Sequence, residues 1–173
     1  MPDIEPTTAP EAAAPASASP APGSLVWRIK SSLIAYVLGM SDGEVLLDDG
    51  VVETAEGFAF PPRPADAGAD ADALDDPDTR RFCGVVTFQG HNGMMHVELS
   101  EPSITRVGDG WRIEFSDPDA PTRRLHFADV AAVASGQDHR EHGTGTTLAA
   151  DGADLFFGPY EQGTPLDDPF VQG

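Results

Sequence analysis

The stretch CGVVTFQGHNGMMHVELS, residues 83–100, constrains the fold most. Two runs rich in β-branched and aromatic residues flank Asn92-Gly93. Both central positions of a type I′ turn need positive φ, which Asn and Gly adopt at least cost. The pattern predicts a tight hairpin with His91 and Met94 beside the turn. SITRVGDGWRIEFSD predicts a second hairpin, in which Trp111, Ile113 and Phe115 alternate with Arg112 and Glu114, so that one face is buried and the other wet. EVLLDDGVVE reads as a third, around Asp49-Gly50, and GFAFPP as a short strand closed by proline. RRLHFADVAAV and GTTLAA continue the pattern, and ADLFFGPYEQGTPLDDPF closes the chain with a short apolar run and a Gly/Pro-rich segment. Many short, regularly spaced strands predict a mainly β fold, an antiparallel sandwich or barrel-like sheet.

One stretch breaks this rhythm. From Leu25 to Leu38 the positions Leu25, Ile29, Leu33 and Tyr36 follow a helical period, with Ser24 placed to cap the start and Gly39 placed as the C′ residue. The expectation is one N-terminal helix covering an end of the sheet. Its apolar stripe ends in a phenol, and Ser32 lies one turn earlier on the same face.

Composition bounds the rest. The 173 residues suit one domain with a substantial core. Residues 1–23, mostly Ala, Pro, Ser and Thr without a base or an aromatic, cannot bury enough apolar surface to order themselves and read as a disordered lead to a domain over 24–173. They lack the charged start and apolar run of a signal peptide, and no later segment reaches spanning length. As written, the chain reads as soluble and cytoplasmic; a mis-assigned start site would make it an exported protein. The net charge is −19, and residues 66–78 hold six aspartates and no base, which reads as a solvated acidic loop. Without that loop and the lead, 20 acids still face 10 bases. Such a field repels phosphate backbones and anionic membrane surfaces, which argues against nucleic-acid partners and membrane insertion. Cys83 is the sole cysteine, so no internal disulfide or thiolate metal cluster can form.

Few side chains suggest chemistry. Tyr36 admits two readings: an interfacial core tyrosine with its hydroxyl in water, or a hard oxygen donor to ferric iron, a known mode of haem ligation. His91 is either a polar turn residue or a strand-end imidazole reaching a pocket mouth, where it would hydrogen-bond the phenolate. Met94 and Met95 read as hairpin packing, and Tyr160 as a lid aromatic or a stacking surface for a flat ligand. HREH, residues 139–142, is not an HExxH helix and reads as an exposed loop. His126 reads as a satisfied core histidine, His96 as a wet-face residue and Cys83 as a small buried apolar one. No Ser-His-Asp order, phosphate-binding glycine motif or close carboxylate pair points to an enzyme.

Five stretches occur in a recognisable order: LVWRIKSSLIAYV, GFAFP, VVTFQGHNGMMHVELSEPSI, LHFADVAAV and GPYEQGTPLDDP. Over about residues 24–170 the chain resembles an Htaa domain, the haem-binding module of Gram-positive haem-uptake proteins. The resemblance implies one ferric haem b held against the N-terminal helix, with Tyr36 as axial ligand to the iron and His91 hydrogen-bonded to it. It places Ser32 near a propionate and Tyr160 in the pocket wall. It implies haem transport, transfer or buffering, with haem-donor or haem-acceptor proteins as partners and no catalysis. A rival of a different class is a β-rich protein-interaction module that has lost haem binding. Departures from the family pattern are Pro159 before Tyr160, the long acidic loop and the absence of tandem domains or an anchor.

Overall fold

The computed structural model describes residues 19–64, 77–156 and 160–173. Most of the expected disordered lead, and residues 66–76 of the acidic loop, lie outside the described residues. The strands are β1 (Leu25–Trp27), β2 (Glu44–Asp48), β3 (Val52–Thr54), β4 (Gly57–Phe60), β5 (Thr79–Arg81), β6 (Val85–Gly90), β7 (Met95–Val107), β8 (Gly110–Ser116), β9 (Arg124–Ser135), β10 (Glu141–Leu148) and β11 (Phe170–Val171). Two helices accompany them, α1 (Ser31–Gly39) and α2 (Ala150–Leu155). The strands form one antiparallel sheet in the order β2-β6-β7-β8-β9-β10-β11-β1-β4-β3, with β5 also paired to β7. The two end strands, β2 and β3, are joined by the short turn at Asp49-Gly50, so the sheet curls almost closed into a barrel. The expected mainly β, barrel-like architecture is what forms.

Local turn chemistry decided most pairings. β6 and β7 pair from Val85↔Ser100 to Gly90↔Met95, and Asn92 and Gly93 take φ of 55° and 85°. The Met94 N–H donates to the His91 carbonyl at 3.1 Å, closing the turn. β7 and β8 meet at Val107↔Gly110, and Trp111, Ile113 and Phe115 are buried while Arg112 is exposed, as alternation requires. At Asp49-Gly50 the reversal forms but the hairpin does not: β2 pairs with β6, and β3 pairs with β4. A turn sets the change of direction, whereas the partner of each arm is chosen by what its face can bury.

The helix is shorter than its period suggests. Leu25, Val26 and Trp27 are all buried in β1, which pairs with both β4 and β11. Three apolar residues in a strand buried on both faces imitate one turn of a helix. Ile29, with φ of 66°, turns the chain out of the strand, and α1 starts at Ser31. Its cap residue is Lys30, not Ser24, and no local side chain caps it. Asp167 does so from the far end of the chain: its carboxylate accepts the Ser31 N–H at 3.1 Å and the Ser31 hydroxyl. A carboxylate on these unpaired N–H groups also suits the positive end of the helix dipole. Asp167 is itself fixed, donating its N–H to the Ile29 carbonyl at 2.9 Å and accepting Trp27 Nε1–H at 2.6 Å. Gly39 is the last helical residue rather than a left-handed C′, and Met40 leaves in extended conformation.

The core is aromatic. Phe115 and Phe127 meet edge to face at 5.0 Å, Trp27 packs on both, and Phe127 leads to Phe156 at 5.8 Å and Phe156 to Tyr160 at 5.3 Å. This ladder runs from the barrel interior to the surface beside α1. The short α2, which the sequence pattern did not reveal, sets Phe156 on it.

Candidate functional site

The buried face of α1 is Leu33 and Val37, one turn apart. Tyr36 therefore falls beside the stripe, not on it, and is 53 % exposed. Its ring is not kept for core packing. Its oxygen is instead 2.6 Å from His91 Nε2, with the ring centroids 5.9 Å apart. In one tautomer the phenol O–H donates to Nε2; with the phenol ionised, Nε2–H donates to the phenolate. The pair can thus follow the phenol through loss of its proton, which a tyrosine must undergo to bind a metal.

His91 reaches this position by an unusual backbone. It has φ of 50°, so His91, Asn92 and Gly93 are successively left-handed. For a residue with a Cβ that conformation costs about 1–2 kcal/mol, and the surrounding contacts hold it. The turn between α1 and β2 packs against the base of the hairpin. A Cβ on Gly43 would lie 1.6 Å from the Val37 carbonyl oxygen, and one on Gly90 would lie 2.6 Å from Met40 Cε. From this turn the Asp42 carboxylate accepts the Asn92 N–H at 2.6 Å. That bond is the main reason the Asp42 carboxyl sits below its ordinary value, with a smaller contribution from the His91 imidazole.

Tyr36 and His91 open onto a cleft of about 420 Å³. Leu33 and Val97 line its buried side, and Met94, Met95, Phe156 and Tyr160 extend the apolar surface. Met94 is 85 % exposed, an apolar side chain left in water at the rim. His96, read as a wet-face residue, is exposed and also lines the cleft. Lys30 stands 5.5 Å over the Tyr160 ring, and its Nζ donates to the Pro165 carbonyl at 3.1 Å. The volume and the apolar walls with a few converging polar groups match ordinary small-ligand sites.

Of the four residues singled out in the sequence, Tyr36, His91 and Tyr160 line one cleft; Ser32 is exposed on α1 and does not line it. Leu33, Asp42, His96 and Phe156 were missed. The aromatic pair in LFFGPY was the available signal for Phe156. Other expectations need adjustment. Cys83 is half-buried, not buried. His126 is satisfied by Asp129 at 2.8 Å but remains partly exposed. HREH straddles a turn and the start of β10, where His142 lies 3.2 Å from Asp138. Among the described residues no group of three His, Cys, Asp or Glu side chains could hold a metal ion.

A second cleft, of about 430 Å³, has Arg63, Arg80, Arg81 and His139 among its lining residues, beside Phe82 and Glu141. Two of its three guanidiniums have carboxylate neighbours. Arg80 is 2.5 Å from Glu141 and stacks on Trp111, and Arg63 is 4.0 Å from Glu101.

Comparison with known proteins agrees with this fold. A family model described as Htaa matches residues 22–171. The crystal structure of the N-terminal domain of HtaA from Corynebacterium glutamicum is 24% identical with a TM-score of 0.65, covering 90% of this chain and 98% of that one. The C-terminal domain of the same protein gives 22% and 0.63, covering 86% and 93%. The haem-binding protein HtaB of that organism gives 18% and 0.62, covering 86% and 90%. No curated protein matches the chain.

Proposed function

The chain belongs to the Htaa family, and from that premise we propose that it binds ferric haem through the Tyr36 phenolate and carries it rather than transforming it. The observation that supports this most is the 2.6 Å pairing of an exposed phenol with an imidazole at the mouth of an apolar cleft. A phenolate is a hard anionic donor suited to ferric iron, and the Tyr36 oxygen would hold the iron of a haem bound in this cleft. In that reading Tyr36 binds, and His91 Nε2–H donates to the phenolate oxygen and orients it. Leu33, Met94, Met95 and Phe156 shield the ring from water, and Tyr160 offers an aromatic face. Ser32, exposed one turn before Tyr36, is assigned to a propionate at the solvent edge. Residues 24–173 act as one binding unit.

Iron ligation that depends on an ionised phenol is reversible by a proton. That suits a carrier which must release haem to an acceptor protein, and it makes affinity fall on acidification. Titration of hemin into wild type, Tyr36→Phe and His91→Ala, followed through the Soret band, tests the reading. The expected result is a saturable complex in wild type, none in Tyr36→Phe and a weaker one in His91→Ala. Equal curves for the three would remove the ligand assignment, and no Soret shift in wild type would favour the interaction-module rival.

A further inference from the structure

We propose that Asp42 is a positioning residue of the haem site: its carboxylate, by holding the Asn92 N–H, sets the His91 imidazole at hydrogen-bonding distance from the Tyr36 oxygen. The inference rests on the haem reading above for its functional consequence, but its structural half stands on the free protein. His91, Asn92 and Gly93 form a run of three left-handed residues, a conformation that costs backbone energy at the two that carry a Cβ and persists where surrounding contacts fix it. His91, Asn92, Gly93 and Met94 are all exposed, so packing reaches the tip only through Gly90, the residue before His91. The polar links from it to the helix side include the Tyr36–His91 contact itself and the 2.6 Å bond from Asn92 N–H to Asp42, whose carboxylate also feels the His91 backbone N–H. The carboxylate is well placed to act as a fixed post. Asp42 lies in the turn whose neighbour Gly43 packs without a Cβ against the Val37 carbonyl, and Met40 of the same turn packs against Gly90 at the hairpin base. Val37 is buried in α1 next to Tyr36. The post and the phenol are thus carried by one continuous segment, residues 36–43, anchored by buried Val37, and the imidazole is brought to that segment through its neighbour Asn92.

The test uses Asp42→Ala, Asp42→Asn and the double variant Asp42→Ala/His91→Ala. Asn keeps an oxygen that accepts the Asn92 N–H; Ala does not. In the ligand-free protein, the Asn92 amide proton and the His91 Nε2 resonance, read by NMR, are expected to move toward solvent-exposed values in Asp42→Ala and to stay near wild type in Asp42→Asn. On hemin titration, Asp42→Ala should lose about tenfold in affinity, the lower end for a partner that orients a metal ligand, and Asp42→Asn should recover most of it. In the His91→Ala background the Asp42→Ala change should cost nothing further, because Asp42 acts through His91. Unchanged Asn92 and His91 resonances in Asp42→Ala would overturn the proposal. So would an Asp42→Ala loss that is undiminished in the His91→Ala background, which would mark a general structural role. If wild type fails to take up hemin, the haem reading falls, and the NMR comparison still decides whether Asp42 places the imidazole.

Discussion

Two clefts of nearly equal volume, about 420 and 430 Å³, differ in what their polar groups do. In the arginine-lined cleft two of the three guanidiniums are matched within the protein, Arg80 by Glu141 and Arg63 by Glu101. A ligand drawn to Arg80 or Arg63 would have to compete with a carboxylate, which reduces the net attraction there. In the cleft beside α1 a phenol and an imidazole are bonded to each other among mostly apolar side chains, with His96 also in the lining. Neither must give up an ion pair to meet a ligand, and the walls offer a flat hydrophobic molecule the burial that drives its binding. Volume does not make a site; what its polar groups can still offer a ligand does.

The largest test of that contrast is Tyr36→Phe, which keeps the ring and removes the oxygen. It is expected to abolish the ferric complex, measured by Soret titration, while thermal melting stays near wild type because Tyr36 is not a core residue. His91→Ala should weaken haem by about 10–100-fold, as loss of a partner to a metal ligand commonly does, and equilibrium titration reads the change. Phe156→Leu removes the edge-to-face contact with Tyr160, worth about 0.5–1.5 kcal/mol, and should cost a few-fold in affinity and a small loss of urea stability. Arg81→Ala, in the second cleft, should leave haem affinity at the wild-type value; a loss matching His91→Ala would erase the distinction between the clefts.

Acid separates the site's own protons from its scaffold. Asp42 is held below its ordinary 3.8 chiefly by the Asn92 N–H. A depressed carboxyl contributes stability that is fully present above the unfolded value and lost as pH falls through the folded one. The tether therefore persists between pH 7 and 5 and fails only below 3.8. Loss of ferric haem on acidification above that value is then expected from protonation of the ligand oxygen rather than from failure of the Asp42 tether, measured by Soret titration at several pH values.

Much of the fold was legible because its determinants are local. Asn92-Gly93 and Gly108-Asp109 each specify a reversal whose flanking residues alternate correctly, and the β6–β7 and β7–β8 pairs follow. What failed was long-range. Leu25–Trp27 imitates a helical turn because a strand buried on both faces has no alternation to display, and only its pairing with β4 and β11 reveals it. Asp49-Gly50 shows a turn but not that its two arms join opposite ends of the sheet. At the site, Tyr36 and His91 stood out by side-chain chemistry. Asp42 and Asp167 did not, since an aspartate in a Ser-Asp-Gly turn or a Pro-rich tail looks like ordinary surface until the chain brings it to Asn92 or Ser31.

The central claim is a bond between the Tyr36 oxygen and ferric iron. The chain has two tyrosines, so resonance Raman of the hemin-loaded protein, with and without ring-deuterated tyrosine, reads that bond directly. Isotope-sensitive tyrosinate modes enhanced in wild type and absent from Tyr36→Phe are the predicted result. Hemin-loaded wild type without those modes, or Tyr36→Phe that retains them, would contradict the account.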